Sequence, residues 1–108
     1  MSRQISERAA NKFKNNLKFK LSNTEVKVVD GQPEMYLFGN KIAWKANGIT
    51  HWTLAGYPSS TTKERLNALL NGKIFQYRGN QYYSNWNVPT VRIQDNKVYT
   101  EDGLCRGL

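Results

Sequence analysis

His51 and Cys105 are the only histidine and the only cysteine in the chain, and they come first in any search for chemistry. As a nucleophile and base they would need the C-terminal segment to fold onto the strand that carries His51. His51 falls opposite Trp44 in the hairpin register worked out below, so a hydrogen-bonded structural histidine is expected instead. One His and one Cys do not make a structural zinc site without several well-placed carboxylates. The eight Asp and Glu are scattered, and Glu101-Asp102 has no third ligand near it in sequence. No Gly-rich phosphate loop, paired-Cys spacing or HExxH motif occurs. The residue types therefore predict a protein that is not an enzyme and takes no metal or cofactor.

Cations and aromatics carry the remaining chemistry. Sixteen Lys and Arg oppose eight Asp and Glu, for a net charge of +8. Such a field favours polyanions, nucleic acid first and acidic membranes or proteins next. Residues 1–20 hold Arg3, Arg8, Lys12, Lys14, Lys18 and Lys20 against Glu7 alone, which is +5 of that +8. The segment reads either as a solvated amphipathic helix or as a basic helix lying along a phosphate backbone. Thirteen aromatics supply large units of buried area in a chain of one-domain length. Nothing resembles a signal peptide or a membrane span, and a lone cysteine fits a reducing compartment without an intrachain disulfide.

The elements that must position these groups follow from periodicity and turn chemistry. Ile5, Ala9, Phe13 and Leu17 recur every four residues and predict a helix over 2–17. Asp30-Gly31, Gly39-Asn40, Asn47-Gly48, Gly79-Asn80 and Asp95-Asn96 are pairs that tolerate positive φ between β-rich segments, the signature of two-residue hairpins. They predict a meander of strands at 33–38, 41–46 and 49–55. Thr61 and Glu64 have capping-box spacing, Leu66, Leu69 and Leu70 form an apolar face, and Asn71-Gly72 offers a left-handed stop, so a second helix is expected there. The expected fold is a single α+β domain, mostly antiparallel hairpins with an N-terminal helix and one helix after the third meander strand. Within it, 1–20 is the basic helix, 23–86 a hairpin-helix-hairpin core, and 87–108 a C-terminal hairpin and tail.

Turn positions set register, and register sorts side chains between faces. Pairing around Gly39-Asn40 and Asn47-Gly48 places Met35, Leu37, Ile42, Trp44, Ala46, Ile49, His51 and Thr53 on one face, expected as core. Tyr36, Phe38, Lys41, Ala43, Lys45, Thr50, Trp52 and Leu54 fall on the other. Rings among ammoniums suit single-stranded nucleic acid, with bases stacked on aromatics and phosphates on lysines. The same face would equally serve as a second core surface if the N-terminal helix covered it, with its lysines snorkelling. Tyr77, Arg78, Tyr82, Tyr83 and Trp86 form a second cluster of the residue types enriched at protein-binding hot spots.

The runs Leu37-Phe38-Gly39-Asn40-Lys41-Ile42-Ala43, Leu54-Ala55-Gly56-Tyr57 and Thr61-Thr62-Lys63-Glu64-Arg65-Leu66-Asn67 resemble a pattern in small, largely uncharacterised tailed-bacteriophage proteins. There an LxGNxIA hairpin is followed by LxGW and TTRERLN; here Tyr57 stands for the Trp and Lys63 for the first Arg. The resemblance covers roughly residues 23–86. It implies a phage origin and the cytoplasm of an infected host bacterium.

The leading expectation is thus a basic, non-enzymatic nucleic-acid-binding protein. Arg3, Arg8, Lys12, Lys14, Lys41 and Lys45 would meet phosphates, and Tyr36, Phe38 and Trp52 would stack on bases. The alternative is a protein that binds and modulates a host or phage protein through Tyr77, Arg78, Tyr82, Tyr83 and Trp86, as an inhibitor, anti-defence or takeover factor. A minor virion component is a further possibility.

Overall fold

The structure, a computed structural model, describes residues 2–85 and 88–100, with the side chains of Ser2, Arg3 and Val88 outside that description. The chain runs α1 (Ser2–Lys14), β1 (Phe19–Leu21), β2 (Thr24–Val29), β3 (Gln32–Leu37), β4 (Asn40–Ala46), β5 (Ile49–Trp52), α2 (Ser60–Leu69), β6 (Lys73–Tyr77), β7 (Asn80–Asn85), β8 (Val88–Ile93) and β9 (Tyr99–Thr100). This is the expected α+β architecture. The strands form a six-stranded antiparallel sheet in the order β1-β2-β3-β4-β5-β9 and a three-stranded sheet β6-β7-β8.

α1 ends three residues earlier than the apolar period suggests. Asn16 takes a left-handed φ of 56°, and the amide of Leu17 donates to the Lys12 carbonyl at 2.9 Å while that of Asn16 donates to Phe13 at 3.2 Å. That pair of bonds is a Schellman stop, which asparagine tolerates better than other non-glycine residues. The buried stripe is Ser6, Ala9, Ala10 and Phe13, with Ile5 packed at its edge. Leu17, expected in the stripe, lies beyond the stop and is exposed.

α2 begins at Ser60 because Ser59, not Thr61, caps it: the Ser59 hydroxyl accepts from the Thr62 amide at 3.1 Å. It ends at Leu70 in extended conformation, without the left-handed Asn71-Gly72 stop. Gly72 serves another purpose. A Cβ there would lie 2.5 Å from the Tyr83 ring and 2.6 Å from the Ser84 carbonyl oxygen, so only glycine lets β7 approach this closely.

Four hairpin turns share one backbone, a non-glycine residue and then glycine, both at positive φ: Asp30-Gly31, Phe38-Gly39, Asn47-Gly48 and Arg78-Gly79. Glycine occupies the second central position, so the expected Gly39-Asn40 and Gly79-Asn80 turns each sit one residue earlier. Asp95-Asn96 makes no hairpin, since β8 pairs with β7 while β9 returns to pair with β5.

Past the turn, a β-bulge interrupts the β3–β4 ladder. Tyr36 pairs with Lys41, but Met35 pairs with Ala43, leaving Ile42 as the extra residue. One extra residue reverses the faces of everything downstream. The β4–β5 register matches expectation, with Trp44 opposite His51 and Ala43 opposite Trp52, yet the pair that points inward is Ala43–Trp52. A single inner row then crosses the whole sheet: Phe19, Val26, Met35, Ala43, Trp52 and Tyr99, all buried. α1 and α2 pack on this side. Trp52 lies 5.0 Å from the Tyr99 ring centroid and 5.4 Å from that of Tyr83. Its indole Nε1 finds no hydrogen-bond partner among the described residues. Trp44 and His51, expected in the core, stack on each other at 5.7 Å on the outer face and are half-buried.

Arg65 is the unforeseen core residue, only 1% exposed. Its Nε donates to Thr24 Oγ1 at 2.8 Å, one terminal nitrogen donates to Ser6 Oγ at 2.7 Å, and the other to Asn23 Oδ1 at 3.2 Å. A Glu64 carboxylate oxygen lies 3.5 Å from one terminal nitrogen. Burial pulls the guanidinium below its ordinary pKa, which Glu64 partly counters. One side chain thereby ties α1, α2 and β2 together.

Candidate nucleic-acid interface

The charge on the first twenty residues resolves into a ridge. With Ser6, Ala9, Ala10 and Phe13 facing inward, α1 turns Arg8 and Lys14 to solvent and leaves Lys12 half-buried. Lys18 is exposed between α1 and β1, and Lys20 is exposed on β1, on the sheet face opposite the one α1 covers. Arg8 is held by packing, its guanidinium carbon 5.5 Å from the Phe19 ring centroid. Arg3 belongs to the first turn of α1, with its side chain outside the described residues. Glu7 and, opposite Lys20, Glu25 are the carboxylates along this ridge. Lys18 and Lys20 were counted in the charge of the segment but not as site residues; their place beside the helix end is what adds them.

The outer face of the large sheet differs from the expected surface. It carries Lys20, Glu25, Tyr36 and Lys41 in one cross-strand row and Lys27, Glu34, Trp44 and His51 in the next. Lys41 and Lys27 are engaged here. Lys41 lies 3.5 Å from Glu34 and 5.2 Å from the Trp44 centroid, and Lys27 sits 4.8 Å from the Tyr36 centroid. The Tyr36 hydroxyl donates to Glu34 at 2.7 Å. That bond, then burial and the charges of Glu34 and Glu25, push the phenol above its ordinary pKa. Trp52, expected to stack on bases, is fully buried because the bulge turns it inward. Lys45, which pairs with Thr50, is half-buried on the inner side at the sheet margin.

Phe38 stands apart, 72% exposed at a hairpin tip. Its φ of 51° is left-handed, a conformation that costs a non-glycine residue roughly 1–2 kcal/mol. The turn is pinned where the Phe38 amide donates to the Asn23 carbonyl at 2.8 Å. Tyr57, 62% exposed, follows another left-handed pair, Ala55-Gly56. Tyr57 was not expected as a site residue. The signal available for it was its place where the resembling phage pattern carries Trp.

The second aromatic cluster is divided by burial. Tyr83 is in the core, Tyr82 stacks on Phe75 at 5.7 Å, and Trp86 lies outside the described residues. Tyr77 and Arg78 remain exposed, the guanidinium 5.3 Å from the Tyr77 centroid. Lys63 is not part of the ridge: its ammonium donates to the Pro58 carbonyl, Gln76 and Gln81 at 2.9, 3.2 and 2.8 Å, and burial lowers its pKa.

Among the described residues, no helix is long and apolar enough to cross a membrane, and no group of three or more His, Cys, Asp or Glu could hold a metal ion. No curated protein and no solved structure matches the chain. The profile of the Kyanoviridae Gp96 protein family matches residues 2–103, nearly the whole length, and the chain belongs to that phage family.

Proposed function

We propose that this phage protein is a non-enzymatic nucleic-acid-binding protein that meets the phosphate backbone through the α1–β1 ridge, in the cytoplasm of the infected host. The observation that supports this is the exposure of Arg8, Lys14, Lys18 and Lys20, with Lys12 half-buried, on one packed helix-and-strand unit beside Glu7 and Glu25. The inner face of α1 is spent in the core, so its cations are presented by a fixed surface and not by a loose arm. Phosphates would displace condensed counterions there, which makes binding salt-dependent and largely indifferent to sequence.

Titration of labelled single- and double-stranded oligonucleotides between about 50 and 200 mM salt tests this. Five phosphate contacts give a log–log slope of about −3.5 on single strands and about −4.5 on duplex. Neutralising Lys14 and Lys18 together (Lys14→Gln, Lys18→Gln) should make the slope shallower by about 1.4–1.8. No binding below micromolar concentration at ~50 mM salt, or an unchanged slope, would overturn the proposal. The alternative, a protein partner at the β6–β7 end, keeps Tyr77 and Arg78 as its exposed members; a complex that survives nuclease and is lost in Tyr77→Ala would favour it.

A further inference from the structure

Phe38 is in the wrong place for stability on two counts. The first central position of its turn favours Asn, Asp or Gly, and a ring exposed to this degree gains little from burial. Bulky residues held in sparsely populated backbone regions cluster at ligand sites, so the outlier asks for a function.

The surroundings of Phe38 answer with two clefts that share its ring as a wall. On one side is an apolar groove of about 450 Å³, with buried Leu37, Ile42 and Leu54 beneath, Tyr57 also lining it, and half-buried Asn40 at its margin. On the other is a cleft lined by Lys20, Glu25, Tyr36 and Gly39 as well as Phe38. Lys20, exposed on the outer face of the sheet, is the cation of this cleft, and Glu25 sits opposite it. Ile42, the extra residue of the bulge, is buried next to the turn and lines the groove.

We infer that the groove between Phe38 and Tyr57 takes an unpaired base of a single-stranded nucleic acid whose phosphate is held at Lys20. The inference rests on the proposed nucleic-acid function and adds its preferred form. Unpaired bases stack on such rings without regard to identity. An apolar floor suits the face of a base, and Asn40, Ser59 and Thr62 are the polar side chains that line the groove beside it. The exposed charge beside the groove is Lys20, with half-buried Glu25 across from it, and the groove lining itself is uncharged, so a strand would be held by stacking with one phosphate at Lys20. A base paired within a duplex cannot enter.

The test uses the full chain and a thymidine oligonucleotide carrying one 2-aminopurine, whose fluorescence falls on stacking, with a duplex of equal length as control. Phe38→Asn removes the ring and supplies a residue suited to the turn, so its thermal midpoint should equal or exceed that of the wild type. Single-strand affinity should fall by about 5-fold to about 100-fold and the quench should disappear, while duplex affinity stays within about twofold. Tyr57→Ser, which leaves the hairpin untouched, should give the same pattern. Wild-type single-strand binding that survives both changes would overturn the inference and leave the ridge proposal standing. Equal losses on strand and duplex would also overturn it. No binding of either oligonucleotide by the wild type would sink both.

Discussion

The Arg65 network permits a prediction in which removing more polar groups restores stability. Arg65→Met takes the guanidinium from a site where it meets two buried hydroxyls, at 2.8 Å on Thr24 and 2.7 Å on Ser6. Burying a guanidinium costs several kcal/mol, so its removal has a favourable part and the single variant alone is a poor gauge. The informative comparison is with the triple variant Arg65→Met, Ser6→Ala, Thr24→Val. In the single variant each hydroxyl loses its charged donor in a dry setting, at about 1–3 kcal/mol apiece, or about 2–6 kcal/mol together. The triple variant removes those hydroxyls but also loses the Thr24–Asn23 bond of 2.8 Å, worth about 1 kcal/mol. The triple variant should therefore be more stable than the single by about 1–5 kcal/mol. For a domain near 100 residues that is at least about 4 °C in thermal midpoint. Urea unfolding followed by tryptophan emission reads the difference, because Trp52 is fully buried. A triple variant no more stable than Arg65→Met would show that the hydroxyls are satisfied without the arginine, and the cross-link argument would be wrong.

Gly72→Ala should cost about 1–3 kcal/mol in urea unfolding, since its new Cβ meets Tyr83 and the Ser84 backbone on a face that cannot retreat. At the α1 stop, Asn16→Ala should destabilise by about 1 kcal/mol whereas Asn16→Gly should be neutral or better; equal effects would refute the Schellman assignment. Tyr36 has a folded-state pKa raised above 10.0, chiefly by its bond to Glu34. Its contribution is complete below the unfolded pKa and is lost as pH rises through the folded value. Stability of the wild type should thus decline above about pH 10, and Tyr36→Phe should flatten that decline; an unchanged alkaline limb would contradict the Tyr36–Glu34 bond.

The sequence is most legible where a signal is local. Asn47-Gly48 sets its hairpin register residue for residue, and the leucines of α2 are buried as their spacing demands. The Phe38-Gly39 turn was displaced by one position because a Gly-Asn pair looks as permissive as an X-Gly pair. That displacement alone moves partners by two and leaves faces unchanged. What reversed the faces was the bulge at Ile42, for which no residue type gives notice: Ile42 and Ala43 are consecutive, apolar and both buried. Arg65 was equally hidden, because its acceptors come from residues 6 and 24. β9 found its partner in β5 across half the chain. For the candidate site, the cations of α1 could be read as charge and their exposure follows from the helix period. Which aromatics stay free depended on the bulge, and so could not be read.

The same arginine bears on the order in which the molecule assembles. Its bonds to Thr24 and Ser6 close spans of 41 and 59 residues. Closing loops of that length is entropically costly, whereas the hairpins β2–β3 and β4–β5 need only two-residue turns. The hairpins should therefore be in place at the folding transition state and the docking of α1 should follow. A substitution at Arg65 would then leave the folding rate nearly unchanged and show its effect in the rate of unfolding. What that one guanidinium sets is the lifetime of the native state, in whichever direction its removal moves stability, and not the speed of reaching it.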